Sequence, residues 1–292
     1  MKTCAFIGLG VMGFPMAGHL SSAFDVRVYN RSSERALKWQ GANKGVICQT
    51  PAEASQGANV VFVCVGNDDD VRSVIYGETG ILAGISEGAI LVDHTTTSAE
   101  LAREIYSACQ QKGVGFLDSP VSGGEAGAVN GALTIMVGGD DAVFDIAAPV
   151  MSTYAKSVRH MGPSGAGQLT KMVNQICIAG LLQSLSEGLN FAERAGLNIE
   201  DVVSVISKGA AQSWQMENRA HTMQLNKFDF GFAVDWMRKD LKICIDEGER
   251  NGSDLPITKQ VDQFYEDVQN MGGGRWDTSS LIARLRAGVS SS

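Results

Sequence analysis

The stretch Phe6-Ile7-Gly8-Leu9-Gly10-Val11-Met12-Gly13 places three glycines in eight positions, directly after the apolar run "TCAFI" and at the head of the helix-like segment "MGFPMAGHLSSA". The spacing is G-x-G-x-x-G. Gly8 permits a tight turn, Gly10 lets a phosphate approach the backbone, and Gly13 lets helix and strand pack closely. The first amides of the helix, at the positive end of its dipole, then face an anion. Strand, glycine turn and helix in this order predict a bound dinucleotide, its pyrophosphate over Gly8, Leu9, Gly10, Val11, Met12 and Gly13. A turn whose glycines serve only the chain's own packing is the alternative.

Outward from the turn, short apolar runs alternate with helical patterns: "DVRVYN", "NVVFVCV", "AILVDH", "VGFLDS" and "LTIMVGG", with segments such as "SAELAREIYSACQQK" between them. Strands separated by helices predict a parallel, doubly wound sheet with helices on both faces, an α/β Rossmann domain over residues 1–163. From Gln168 onward nearly every segment carries helical periodicity, which predicts an all-α domain over 164–292. The two are joined through one long helix, "QLTKMVNQICIAGLLQSLSEGLNFAERAG", that Gly196 stops. Because it is apolar on most faces in its middle, this helix must be buried, between domains or subunits. Later helical candidates are Asn198 to Lys208, Ala233 to Asn251, Pro256 to Met271 and Ser279 to Ala287, with Gly272 to Gly274 separating the last two. Ser290 to Ser292 are expected to fray.

Composition narrows the function classes. A formal net charge of -8 disfavours a nucleic acid as the main partner. No apolar run approaches the roughly 20 residues that span a bilayer, and the N-terminus lacks a secretory pattern, so no membrane role and a cytoplasmic location are expected. The six cysteines are scattered, without a C-x-x-C pair, as are His19, His94, His160 and His221. Buried thiols and no metal site are the expectation.

The strand ends beyond the glycine turn should face the same ligand. After the second strand comes Asn30-Arg31-Ser32-Ser33. An acid here would bind the ribose 2′-hydroxyl of NAD, whereas Arg31 and small hydroxyls suit a 2′-phosphate, so NADP is favoured and NAD is the alternative. Val65, Gly66 and Asn67, then Thr95 and Thr96, end the next two strands. The threonines are candidates for the nicotinamide ribose or carboxamide, while Thr97 and Ser98 could cap the following helix. Asp68, Asp69 and Asp70 read as a helix N-terminus.

With "FIGLGVMGFPMA", "DSPVSGGEAGAVNGALTIMVGG", "GAGQLTKMVNQ" and "FAVDWMRKDL" in order along nearly the whole chain, the sequence resembles the β-hydroxyacid dehydrogenase family. That family includes 3-hydroxyisobutyrate dehydrogenases, tartronate semialdehyde reductases and glyoxylate/succinic semialdehyde reductases. The resemblance implies that Ser122, Gly123 and Gly124 grip a substrate carboxylate and that Lys171 is the general acid/base. Asn174 and Gln175 would contact substrate, in a chain with Asn-Gln where many relatives have paired asparagines. Phe232 would lie near substrate and Lys239 near the cofactor, closing over the nicotinamide end. His19 stands where the family often has asparagine, and no role is assigned to it. Ser213, Trp214 and Met237 are further candidates for the substrate end.

The expectation is therefore an NAD(P)-dependent oxidoreductase, a homo-oligomer (dimer or tetramer) with a long apolar helix at its interface. It would interconvert a small carboxylate-bearing aldehyde or keto acid, such as glyoxylate or succinic semialdehyde, with its hydroxy acid. A 3-hydroxyisobutyrate or L-serine dehydrogenase is the alternative within the family. A non-catalytic dinucleotide sensor is the alternative outside it.

Overall fold

The computed structural model describes residues 2–288. They form two compact units that divide between Lys171 and Met172. The first unit carries nine strands: β1 (Thr3–Ile7), β2 (Asp25–Tyr29), β3 (Val46–Ile47), β4 (Val60–Val63), β5 (Ile90–Asp93), β6 (Gly115–Asp118), β7 (Val121–Ser122), β8 (Leu133–Gly139) and β9 (Ala155–Gly162). Its helices are α1 (Gly13–Ser21), α2 (Ser33–Ala42), α3 (Pro51–Ser55), α4 (Asp68–Ile75), α5 (Ile81–Gly84), α6 (Ala99–Gln110), α7 (Gly124–Val129) and α8 (Asp141–Met151). Helix α9 (Ala166–Arg194) runs across the division. The second unit continues with α10 (Ile199–Ile206), α11 (Trp214–Gln224), α12 (Val234–Asn251), α13 (Pro256–Asn270) and α14 (Leu281–Ala287).

The strand order is β3-β2-β1-β4-β5-β6-β8-β7, with β9 beside β8. The first six strands pair in parallel, the order of a doubly wound nucleotide fold. Beyond β6 the direction reverses, because β8 pairs antiparallel with both β6 and β7. "LTIMVGG" thus forms a strand as its composition predicts, but not a parallel one. Apolar content reports burial, not strand direction.

Alternate residues of each strand enter opposite cores. Cys4, Phe6, Val60, Phe62 and Leu117 pack on one face, and Ala5, Ile7, Val61, Val63 and Phe116 on the other. Phe6 and Phe62 stack with centroids 6.0 Å apart. Their complete burial stabilises the sheet by roughly 1.5–3 kcal/mol each. Since β1, β2, β4, β5 and β6 are parallel, the residues that follow them gather at one edge: Gly8, Asn30, Val65, Thr95 and Ser119.

In the second unit, Ala179, Leu182, Leu185, Leu189 and Ala192 recur at helical spacing and pack into its two apolar clusters. The opposite side of α9 leaves Val173, Leu181 and Phe191 exposed, Phe191 at 71%. Gly196, at φ +72°, follows the helix end. Helix α11, unlisted by periodicity, inserts Met216, Ala220 and Met223 into the core. Among the described residues no helix is long and apolar enough to cross a membrane, and no three His, Cys, Asp or Glu side chains converge to hold a metal ion. Cys4, Cys48, Cys109 and Cys244 are buried and Cys64 is half-buried, whereas Cys177 is exposed on α9, contrary to the expectation that all six thiols are buried. Burial pushes the Cys4 and Cys109 thiols up to about 12, so both stay unreactive at neutral pH.

Candidate active site

The glycine turn is built from both sides. Gly8, at φ +98°, donates its N–H to the Tyr29 carbonyl at 2.9 Å, and a side chain there would strike the Cys64 backbone. A Cβ on Gly13 would fall far inside contact with the Gly8 carbonyl oxygen. Gly10 differs, because a Cβ there meets no atom within 4 Å. Its lack of a side chain leaves open space, as close approach of a phosphate requires. Helix α1 has no acid in its first turn and no side-chain cap, so its own residues leave the N-terminal amides to an anion. The turn therefore fits a dinucleotide.

Asn30 and Arg35 hold that turn. The Asn30 Oδ1 accepts from the Leu9 N–H at 2.8 Å and its Nδ2 donates to the Ser32 carbonyl at 3.1 Å. The Asn30 side chain, expected to contact the cofactor, thus also braces the loop. Arg35, which sequence reading passed over, donates to the Leu9 carbonyl at 2.5 Å and lies over the Phe14 ring. Arg31 has a 90% exposed side chain and only a 3.6 Å pairing with Asp70.

At the next two strand ends, the Val65 N–H donates to Thr95 Oγ1 at 3.1 Å, and the Thr95 N–H donates to Asp93 Oδ1 at 2.9 Å. Thr95 is buried and engaged by the protein itself, while Thr96 beside it is half-buried. Asn67 caps α4 by accepting from the Asp70 N–H, and Ser98 caps α6 by accepting from the Leu101 N–H. Asp68 to Asp70 open α4 as expected, and Asp68 accepts from the Ser98 hydroxyl.

Beneath these loops lies a buried polar layer. His94 stacks on Phe62 at 5.6 Å, with Nδ1 2.6 Å from the Ser119 carbonyl and Nε2 2.8 Å from the Tyr154 hydroxyl. A carbonyl only accepts, so Nδ1 carries the proton and Nε2 accepts from the phenol. Burial lowers His94 to about 4, and the imidazole stays neutral. With both nitrogens engaged, it is a structural group and not an acid/base. Burial also raises Asp93 to about 7, against the pull of its bonds from Thr95 and with the push of nearby Asp118. Asp118 rises to about 6 for the same first reason, moderated by backbone N–H donors.

In the following segment Ser122 ends β7, and Gly123 and Gly124 take φ of +130° and +62°. Those conformations suit glycine, and both residues are exposed. His19 gains a function in the fold: its Nε2 lies 3.1 Å from the Ala128 carbonyl and 3.0 Å from that of Val129, so it ties α1 to the end of α7. Lys171, on the second turn of α9, is only 8% exposed and is no solvated surface charge.

In the second unit, Asn174 Nδ2 donates to Gln175 Oε1 at 2.8 Å, and Gln175 Nε2 donates to Asp240 Oδ2 at 2.5 Å. The Lys239 ammonium sits 3.1 Å from Asp240 Oδ1 and 6.0 Å from the Trp236 ring centroid. Asp240, buried and joining two expected site residues, had only its adjacency to Lys239 as a signal. Phe232 is half-buried against the core, its N–H donating to Asp277 Oδ2 at 3.0 Å. Of the looser candidates, Met237 is a core residue and Ser213 caps α11, while Trp214 is exposed with the Arg219 guanidinium 4.9 Å from its ring.

Two family models match the chain in succession. Residues 3–162 match the NAD binding domain of 6-phosphogluconate dehydrogenase, and 165–285 match the NAD-binding domain of NADP-dependent 3-hydroxyisobutyrate dehydrogenase. The chain is 61% identical to an uncharacterized oxidoreductase of Shewanella frigidimarina, covering 98% of both chains. It is 32% identical to the 2-hydroxy-3-oxopropionate reductase of Escherichia coli, covering 96% of both. The Mycobacterium tuberculosis 3-hydroxyisobutyrate dehydrogenase, solved with L-serine, superposes with a TM-score of 0.89 at 29% identity, over 98% of this chain and 99% of that one. Glycine turn, strand order and whole-length similarity agree: the chain belongs to the β-hydroxyacid dehydrogenase family, NAD(P)-dependent oxidoreductases that act on CH–OH groups.

Proposed function

We propose that this enzyme interconverts a small carboxylate-bearing aldehyde or keto acid, of the glyoxylate or succinic semialdehyde kind, with its hydroxy acid, using NADP(H) in preference to NAD(H). The observation that carries the proposal is the burial of Lys171 on the second turn of α9, in the same compact unit as the glycine turn and the Ser122 to Gly124 segment. A lysine is rarely buried unless its charge is paired or put to use, since desolvating an ammonium is costly.

The bound nicotinamide dinucleotide supplies or takes up the hydride. The Ser122 hydroxyl and the Gly123 and Gly124 amides hold the substrate carboxylate, fixing which carbon is presented. Lys171 donates a proton to the carbonyl oxygen as negative charge develops there, and takes it back in the oxidative direction. The amides of Gly8 to Gly13 bind the pyrophosphate, with Val65, Gly66, Asn67 and Thr96 along the rest of the cofactor. Arg31 and Ser32 receive the 2′-phosphate. Asn174, Gln175 and Phe232 are assigned to substrate and Lys239 to the cofactor. Residues 1–163 then serve the dinucleotide and 164–292 the substrate and self-association, the latter through the exposed apolar side of α9. A cytoplasmic homo-oligomer is the setting this implies.

The E. coli reductase and the M. tuberculosis dehydrogenase bracket the substrates to try. Turnover is measured by NADPH or NADH absorbance with glyoxylate and with succinic, tartronate and methylmalonate semialdehydes. L-serine and 3-hydroxyisobutyrate are tried in the oxidative direction. Lys171→Ala is expected to lose about 10²- to 10⁴-fold in kcat, the usual contribution of general acid catalysis, with NADPH binding retained. Activity within several-fold of wild type would reject Lys171 as the acid/base. NADPH binding without turnover on any of these compounds would favour a sensor.

A further inference from the structure

We infer that Asp118 and Gln168 are positioning residues for Lys171, setting the direction of its helix against the loop that carries Thr96. The inference rests on the proposed role of Lys171. The first turn of α9 holds no acid. Its N-terminal amides are met from another element: Asp118, the last residue of β6, accepts from the Gly165 N–H at 2.7 Å through Oδ1 and from the Gln168 N–H at 3.0 Å through Oδ2. The carboxylate thus faces the positive end of the helix that carries Lys171.

Two glycines leave room for the close approach of Asp118. A Cβ on Gly138 would lie 2.5 Å from Asp118 Oδ1, and one on Gly167 would lie 2.5 Å from the carbonyl oxygens of Asp118 and Met136. Gln168, fully buried, extends the clamp sideways. Its Nε2 donates to the Thr95 carbonyl at 2.7 Å, and its Oε1 accepts from the Thr97 N–H at 3.1 Å. Both bonds flank Thr96. Gln168 and Lys171 are three residues apart in one helix and therefore lie on the same side. The amide that fixes the loop at Thr96 thus sits one turn before the ammonium, so acid/base and loop share one anchor.

The test is Gln168→Met, which keeps length and apolar bulk but removes both bonds, with Asp118→Asn, which keeps shape and one acceptor, as the second variant. Thermal unfolding, NADPH titration by fluorescence, and kcat and KM are measured on each full-length enzyme beside Lys171→Ala. The expected result for Gln168→Met is substrate KM within threefold of wild type, a loss of NADPH affinity of less than tenfold through the freed Thr96 loop, and a larger loss in kcat, 10- to 100-fold. For Asp118→Asn a smaller loss in kcat alone is expected. A folded Gln168→Met enzyme with kcat within threefold of wild type, where Lys171→Ala is inactive, overturns the inference and leaves the proposed function standing. A kcat loss matched by an equal loss of NADPH affinity also overturns it, since Gln168 would then serve the loop alone. Should Gln168→Met not fold, Asp118→Asn with unchanged kcat overturns it. An active Lys171→Ala enzyme removes the proposed function and the inference together.

Discussion

Replacing Gly10 by alanine separates the needs of the ligand from those of the fold. A Cβ at Gly10 meets no atom within 4 Å, and Gly10 is not among the glycines with positive φ. Alanine fits the free protein there, and the loss of glycine's freedom in the unfolded chain should stabilise it by about 0.4–1 kcal/mol. The same methyl enters the space a pyrophosphate needs. Overfilling a packed contact costs about 1–3 kcal/mol, which is a roughly 5- to 150-fold rise in the Kd for NADPH. Gly13→Ala is the opposite case, because its methyl collides with the Gly8 carbonyl and comes within 3.0 Å of Phe6 Cε1. That variant should lose stability by at least about 1–3 kcal/mol before any ligand is added. Urea unfolding and NADPH fluorescence titration on both variants read the two effects separately. A Gly10→Ala protein that binds NADPH as wild type does would refute the reasoning. So would one that is destabilised, since the open space at Gly10 would then have another purpose.

Other substitutions probe the remaining assignments. Arg31→Glu, at a 90% exposed side chain, should leave stability unchanged and weaken NADPH about tenfold or more while sparing NADH; equal losses for both cofactors would exclude a 2′-phosphate contact. His94 is held at about 4 in the fold against an ordinary 6.5, so only the unfolded chain takes up its proton between those values and stability falls as pH drops through that window. Between pH 7.5 and 5 the wild type should lose about 2 kcal/mol relative to His94→Gln in urea unfolding, and parallel pH profiles would contradict the neutral imidazole. Phe191→Asp on the exposed side of α9 should shift sedimentation towards a smaller species, and an unchanged coefficient would move self-association to another face.

Where local chemistry decides the structure, the sequence was legible. The strand, glycine turn and α1 follow from residues within reach of each other, and α9 from an unbroken apolar repeat ended by Gly196. Elements whose reasons lie far along the chain were less so. The reversal at β8 depends on which strand it meets, and β9, "AKSVRHMG", has little apolar signature because it is half-buried and exists by pairing with β8. Helix α11 has a buried stripe of two methionines and an alanine in an otherwise polar segment, too thin a pattern to separate from a loop.

The site divides along the same line, and Asn30 and Asp118 show why. Position after a parallel strand tells which residues gather at the sheet edge beyond the strand ends, as Asn30 does after β2. It does not tell whether a polar side chain at that edge faces the ligand or the protein. Asn30 has its amide occupied by Leu9 and Ser32, next to Arg31, whose guanidinium extends into solvent. In Asp118 to Gly124 the same choice is made within seven residues. Asp118 is buried under the start of α9, at 47 and 50 residues' separation from its two partners, while Gly123 and Gly124 are exposed and take positive φ. A single motif thus carries two devices joined by a turn. One half would hold the substrate, and the other holds the helix from which Lys171 would act on it.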